Sequence, residues 1–194
     1  HMLPSAADFA ERVAAMGLDD ADDIVFYDGS GMNLSAARGW WMFRVFGHER
    51  VAVLDGGLLK WRGEGRPLEA GVIRLPRGRF TAKLDAARIR DLASVREALA
   101  SGSEQVVDMR SAGRFVGAEP EPRPGLRGGH MPGSLNLPAQ ELVASDGTVL
   151  SPVELRRRIQ DAGVDLGQPV IASCGSGTSA CALIHALQLL GYDQ

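Results

Sequence analysis

The chain has 194 residues and a net charge of −3, with 45% hydrophobic and 23% charged residues. Such a composition suits a soluble globular protein of one large or two small domains, and without a long basic run it excludes a general attraction to nucleic acid or an anionic membrane surface. No apolar stretch approaches a membrane span, no signal peptide is visible at the start, and Cys174 and Cys181 have no His or Cys partners at metal spacing. A reduced thiol in the cytoplasm, with no metal and no cofactor, is the expectation.

Ser5 can cap a helix from about Ala6 to Met16, with Asp8 in the capping-box place and Gly17 as terminator. Ile24-Val25-Phe26-Tyr27 reads as a short buried strand, broken by Asp28-Gly29-Ser30-Gly31. A helix from about Ser35 to Phe46 ends at Gly47. The strand Val51-Ala52-Val53-Leu54 follows, and a short helix lies around Leu58 to Arg62. Strands alternating with helices imply an α/β fold with a mainly parallel sheet. From about Gly63 to Asp85 periodicity is lost, and residues 67–85 are expected to link two units.

The second unit opens with Asp91 capping a helix through Leu99, then the strand Val106-Val107-Asp108. Residues 117–133 are rich in Gly and Pro and form an ordered loop, not an element. Ser151-Pro152-Val153-Glu154 starts a helix with cap, first-turn proline and capping-box glutamate, ending near Gly163. Val170-Ile171-Ala172-Ser173 is a strand, and Ser179 to Leu190 an apolar helix ending at Gly191.

A repeat organises these elements. Tyr27-Asp28-Gly29-Ser30-Gly31 aligns without a gap on Ser173-Cys174-Gly175-Ser176-Gly177, and about two extra residues then enter the first copy before its helix. The expected plan is therefore a duplicated α/β domain with Asp28 where Cys174 stands. The second copy stops at Gln194, where a counterpart of Val51-Ala52-Val53-Leu54 should begin, and the first lacks the front half of the second. The chain thus reads as a piece of a two-domain protein: a partial unit over 1–66, a linker over 67–85 and a catalytic unit over 86–194.

A cysteine after a strand and before Gly-x-Gly and a helix is placed for nucleophilic work. Glycines let several backbone N–H groups turn toward the sulfur, and the helix start adds partial positive charge. Both favour thiolate, so Cys174 should have a lowered pKa and could hold an added sulfur as a persulfide. Ser176 and Ser179 can add hydroxyl donors. Cys181 falls on the apolar helix and is expected to be a structural core residue. A Cys-x5-Arg phosphatase needs arginine at the position of Ala180, which excludes that chemistry. Cations for a substrate anion are available from Arg110, Arg114, Arg123 and Arg127. His130, in a Gly-His-x-Pro-Gly turn, is read as a residue that orients backbone.

These segments, together with Ser35-Ala36-Ala37-Arg38-Gly39-Trp40-Trp41-Met42, Val53-Leu54-Asp55-Gly56-Gly57, Gly113-Arg114-Phe115 with Glu119-Pro120-Glu121-Pro122-Arg123, and Gly129-His130-Met131-Pro132-Gly133-Ser134, resemble the rhodanese family, most closely its two-domain 3-mercaptopyruvate sulfurtransferase branch. The resemblance implies tandem rhodanese-like domains, an inactive first one and a catalytic second one. It also implies sulfur transfer from 3-mercaptopyruvate through a Cys174 persulfide to a thiol, cyanide or thioredoxin, with pyruvate released. Arg114 and Arg123 match residues that hold the substrate's carboxylate and keto oxygens, and Ser176 matches a loop serine that assists proton transfer. Gly175, Gly177, Thr178 and Ser179 complete the substrate-binding loop. Thiosulfate-preferring members carry basic residues directly after the cysteine, unlike Gly175 and Ser176. A thiosulfate:cyanide sulfurtransferase and a non-catalytic persulfide carrier are the alternatives on the same scaffold. Thr178-Ser179 stands where Val-Thr is more typical, and an Asp and a His that the family supplies from the front of its first domain have no counterpart.

Overall fold

The computed structural model describes residues 3–192; the expectation attached to the chain end at Gln194 lies outside them. Two parallel sheets carry the helices in the order anticipated from the apolar runs. In the first unit, α1 (Ala6–Ala15) precedes β1 (Ile24–Phe26), α2 (Leu34–Val45), β2 (Val51–Val53) and α3 (Gly57–Gly63). In the second, α4 (Leu92–Ser101), β3 (Gln105–Asp108), α5 (Ala112–Phe115), β4 (Leu135–Asn136), α6 (Pro152–Asp161), β5 (Val170–Ser173) and α7 (Ala180–Leu189) follow. β1 pairs with β2 in parallel, Ile24 opposite Val51; β3 lies between β4 and β5, parallel to both, with Gln105 opposite Val170.

Local capping chemistry sets the helix starts. Ser5 accepts from the Asp8 N–H and Asp91 from the Ser94 N–H, while Ser151 and Glu154 form a complete reciprocal capping box. In the first unit α2 lies so close to β1 that a Cβ on Gly39 would overlap the Phe26 ring at 2.5 Å, so only glycine fits there. Phe9 stacks on Phe46 with ring centres 4.2 Å apart and meets Phe43 edge-on at 5.1 Å. The second core is aliphatic, built from Val107, Met109, Leu137, Leu142, Leu155, Ile159 and Leu183.

Residues 65–85 contain no helix or strand, as their broken periodicity implies. Their second half is nonetheless fastened to the first unit. Gly78 and Lys83 donate to the carbonyls of Ala14 and Phe46, Asp19 and Asp20 accept from the N–H groups of Arg79 and Thr81, and Phe80 is buried in the aromatic cluster. A single aromatic in an irregular run carries no periodic signal, which is why this docking is invisible to pattern reading.

The two units meet across α2 and α7. The Trp40 ring abuts His185 edge-on at 4.9 Å, Asn33 Nδ2 donates to the Gly147 carbonyl at 3.2 Å, and Asp55 Oδ1 accepts from the Val149 N–H at 2.7 Å. Burial holds the His185 pKa below its ordinary value, against the opposing pull of Asp55. Among the described residues, no helix is long and apolar enough to cross a membrane.

Phe9→Ala should lower the stability of the folded chain by about 3–5 kcal/mol, the usual cost of removing a buried aromatic. It should also release residues 78–85 to proteolysis before the second unit opens. Urea unfolding with limited proteolysis reads both; cleavage starting in the second unit would contradict the packing described here.

Candidate active site

Cys174 is the first residue after β5, and α7 starts at Ala180. The turn between them closes back on the sulfur: the Gly177 N–H donates to Cys174 Sγ at 3.0 Å. The strand places Cys174, and the glycines keep Cβ atoms out of the turn. Gly177 has φ +76°, the left-handed region that glycine occupies without strain. Burial raises the thiol's pKa. Donation from the Ser179 hydroxyl and from the N–H groups of Ser176, Ala180 and Gly177 outweighs that, leaving the pKa below the ordinary value. Ser176 Oγ lies 3.2 Å from Thr178 Oγ1, so the two hydroxyls share one edge of the turn. The second thiol behaves oppositely: Cys181 is buried, donates its S–H to the Gly177 carbonyl at 3.0 Å, and is pushed up to about 11 mainly by burial.

The repeat in the sequence is a repeat of this geometry. Asp28 stands two residues after β1, much as Cys174 stands one residue after β5, and its carboxylate fills a comparable ring of donors. Oδ1 accepts from the Ser30 N–H at 2.8 Å and the Ser30 hydroxyl at 2.7 Å, and Oδ2 from the N–H groups of Ser35 at 3.0 Å and Ala36 at 3.3 Å. Ser30 and Ser176 stand two places after Asp28 and Cys174. Ser35 and Ala36 correspond to Ser179 and Ala180, displaced by the two extra residues of the first copy. Partial burial pulls the Asp28 pKa up, and the Ser30, Ala36 and Ser35 bonds bring it below the ordinary carboxylate value. The first ring therefore already holds an anion, its own side chain, whereas the second encloses a thiol with a lowered pKa.

Arg114, on α5, reaches this loop. A Cβ built on Gly175 would lie 3.0 Å from Arg114 Nη2, so the guanidinium covers the residue after the cysteine. Its orientation comes from Glu121, whose carboxylate accepts from Arg114 Nε at 3.1 Å and Nη2 at 2.7 Å. Two of the five guanidinium N–H donors are thereby used, and both on Nη1 remain for another anion. Hydrogen bonding from Arg114, with lesser help from Arg110, holds Glu121 below the ordinary carboxylate range. Arg110 is a structural bolt, not a loose cation: it spans Asp108, Glu121 and the Gly129 carbonyl. Arg123 and Arg127 are exposed in the 117–133 loop, and among the described residues Arg123 has no ion-pair partner. His130 donates from Nδ1 to the Phe115 carbonyl at 2.8 Å and stacks on the Phe115 ring at 3.8 Å, which ties the loop to α5.

The structure thus brings together Cys174, Gly175, Ser176, Gly177, Thr178, Ser179 and Arg114, whereas Arg123 is exposed and, among the described residues, makes no hydrogen bond or ion pair to them. Sequence reading singled out neither Glu121 as the partner orienting Arg114 nor the Arg38 contact with the Gly177 carbonyl at 3.3 Å. Both depend on tertiary approach, though Glu121 lies in a Glu-Pro-Glu-Pro-Arg run that could have drawn attention. Among the described residues, no group of three or more His, Cys, Asp or Glu is arranged to hold a metal ion.

Comparison with known proteins gives the same pattern of likeness throughout. A family model described as "Rhodanese-like domain" matches residues 1–64 and 91–194. The chain is 44% identical over 192 residues to 3-mercaptopyruvate sulfurtransferase of Rattus norvegicus, and equally to thiosulfate sulfurtransferase of Cricetulus griseus; each match covers 98% of this chain and 65% of the relative. The chain therefore spans just under two thirds of these curated relatives. Among solved structures, SseA from Escherichia coli, described as showing the rhodanese fold and catalytic mechanism of 3-mercaptopyruvate sulfotransferases, superimposes with a TM-score of 0.90 at 37% identity, over 100% of this chain and 71% of that one.

At pH 7 iodoacetamide should alkylate Cys174 and spare Cys181. Because the Cys174 pKa is lowered, its thiolate persists as the pH falls below the free-cysteine value of about 8.5 and is lost only at the lower folded value. The midpoint of the alkylation rate against pH reads this directly, and a midpoint at or above about 8.5 would contradict the donor ring.

Proposed function

The chain belongs to the rhodanese-like domain family, and on that premise we propose that it moves sulfur from 3-mercaptopyruvate to a thiophilic acceptor through a persulfide on Cys174. The observation that carries the reading is the Cys174 thiol, met by main-chain N–H groups at a strand-to-helix turn, with the Arg114 guanidinium over the next residue.

The chemistry follows from that arrangement. The Cys174 thiolate attacks the thiol sulfur of the substrate, an S–S bond forms, and the substrate's C–S bond breaks. The electron pair leaves with carbon as the enolate of pyruvate. Arg114, with its free Nη1 donors, offsets charge on the carboxylate and keto oxygens, the role in which preorganised donors act most strongly. The proton carried on the transferred sulfur ends on the enolate carbon, with the Ser176 hydroxyl as its relay, giving pyruvate and an anionic persulfide. The N–H groups that held the thiolate then hold the persulfide. An acceptor thiolate or cyanide attacks the outer sulfur, and Cys174 leaves as thiolate, ready for another cycle. Arg123, nine residues after Arg114 and exposed on the 117–133 loop, is assigned the outer part of the same carboxylate site.

The donor choice also has a physical argument. A basic side chain at position 175, which the family resemblance implies for thiosulfate-preferring members, would enter the space that Arg114 occupies and set two cations together. With glycine there, the site offers a planar guanidinium fork, which suits the planar keto-acid carboxylate. Thiosulfate is the second donor, favoured by the equal likeness to a thiosulfate sulfurtransferase. A reducing compartment such as the cytoplasm suits a chemistry that turns over through a free thiol.

After treatment with 3-mercaptopyruvate, Cys174 should gain a mass of about one sulfur atom, roughly 32 Da, with one pyruvate released per adduct and continued turnover once a thiol is added. Cys174→Ser should abolish both. An adduct without turnover would point to a carrier, and a higher kcat/KM with thiosulfate would overturn the donor assignment.

A further inference from the structure

Gly177 is held from both sides. Its N–H donates to the Cys174 sulfur at 3.0 Å, while its carbonyl accepts from Arg38 Nη1 at 3.3 Å and from the Cys181 thiol at 3.0 Å. Arg38 belongs to the other unit. It stands on α2, its guanidinium lies over the Trp41 ring at 4.6 Å, and Nη1 sits 4.0 Å from Cys181 Sγ. The fit leaves no slack, because a Cβ on Gly177 would lie 3.1 Å from Arg38 Nη1.

We propose that Arg38 is a positioning residue for the nucleophile: it clamps the Gly177 carbonyl so that the N–H of the same residue stays aimed at the Cys174 sulfur. Glycine has the widest backbone freedom of any residue, so a Gly177 tethered only through its N–H could swing away. A bond to its carbonyl fixes the second dihedral. The Cys181 thiol is a weak donor, whereas a guanidinium makes a charge-assisted bond roughly twice as strong as a neutral one. Among the described residues Arg38 makes no hydrogen bond to the Cys174 sulfur, so it acts through the Gly177 backbone. The first unit, whose own ring is filled by Asp28, thereby keeps a part in the chemistry of the second. This inference rests on Cys174 being the reacting group.

The test is the pH profile of Cys174 alkylation in this chain, read by mass spectrometry of the Cys174 peptide. Arg38→Met keeps an apolar stem over Trp41 and removes the donor. It should raise the midpoint by about half to one pH unit, cutting the thiolate fraction at pH 7 roughly three- to tenfold. Arg38→Lys, which restores a charged donor, should recover at least part of the shift. Asp55→Ala removes a different bond between the units, the one to the Val149 N–H, and should leave the midpoint unmoved. A superimposable profile for Arg38→Met, or an equal shift for Asp55→Ala, overturns the proposal. If Arg38→Met does not fold, Arg38→Gln replaces it, with a smaller rise expected and an unchanged midpoint overturning. Alkylation needs no sulfur donor, so its outcome is separate from that of the persulfide experiment.

Discussion

A negative charge held by main-chain N–H groups at a strand-to-helix turn is the interaction on which the rest of this structure depends. The chain builds that ring twice. In the first unit the Asp28 carboxylate fills it permanently, with bonds from Ser30, Ser35 and Ala36. In the second, a thiol sits at the same place, and a thiol can change partners. The two turns differ in the side chain that the ring encloses and in two extra residues before the first unit's helix. Main-chain donors suit the task because they are fixed by the strand and helix around them, and in the proposed reaction they would need no rearrangement as charge moves from thiolate to persulfide.

What surrounds the ring serves to hold it. The second unit supplies β5 and α7 as rigid rails, and Arg114 is aimed by Glu121, which is in turn locked to Arg110 and Asp108. That chain of alternating charges is neutral overall, so Arg114 is oriented at little electrostatic cost while two of its donors stay available. The first unit presses α2 against α7 and sends Arg38 to the back of the turn. Residues 78–85, anchored by the buried Phe80, tie the connecting segment to the first core. Cys181, though only seven residues from Cys174, is built into this backing: its thiol is buried and spends its proton on Gly177.

Much of this was legible in the sequence, because the signals were local. Strand–glycine–helix punctuation located β1, α2, β5 and α7 to within a residue or two, and Ser151-Pro152-Val153-Glu154 foretold a complete capping box. The gapless match of Asp28 to Cys174 anticipated matching turns with about two extra residues before the first helix, whereas the donors around Asp28 are visible only in the fold. What stayed hidden was short or tertiary. β4 is two residues and α5 four, too brief for any period to register. The docking of Phe80, the reach of Arg38 across the units and the bolt made by Arg110 all depend on approach between distant segments. Arg110, Arg114, Arg123 and Arg127 looked alike as loop cations; the fold separates them into a bolt, a residue over the cysteine loop and two exposed side chains.

The most direct test of the donor ring is a crystal structure of the chain after exposure to 3-mercaptopyruvate. The added sulfur should lie on Cys174 within hydrogen-bond distance of the N–H groups of Ser176, Gly177 and Ala180, with the turn otherwise unchanged. An added sulfur pointing away from those groups, or found on Cys181 instead, would contradict the view that this turn exists to hold anionic sulfur.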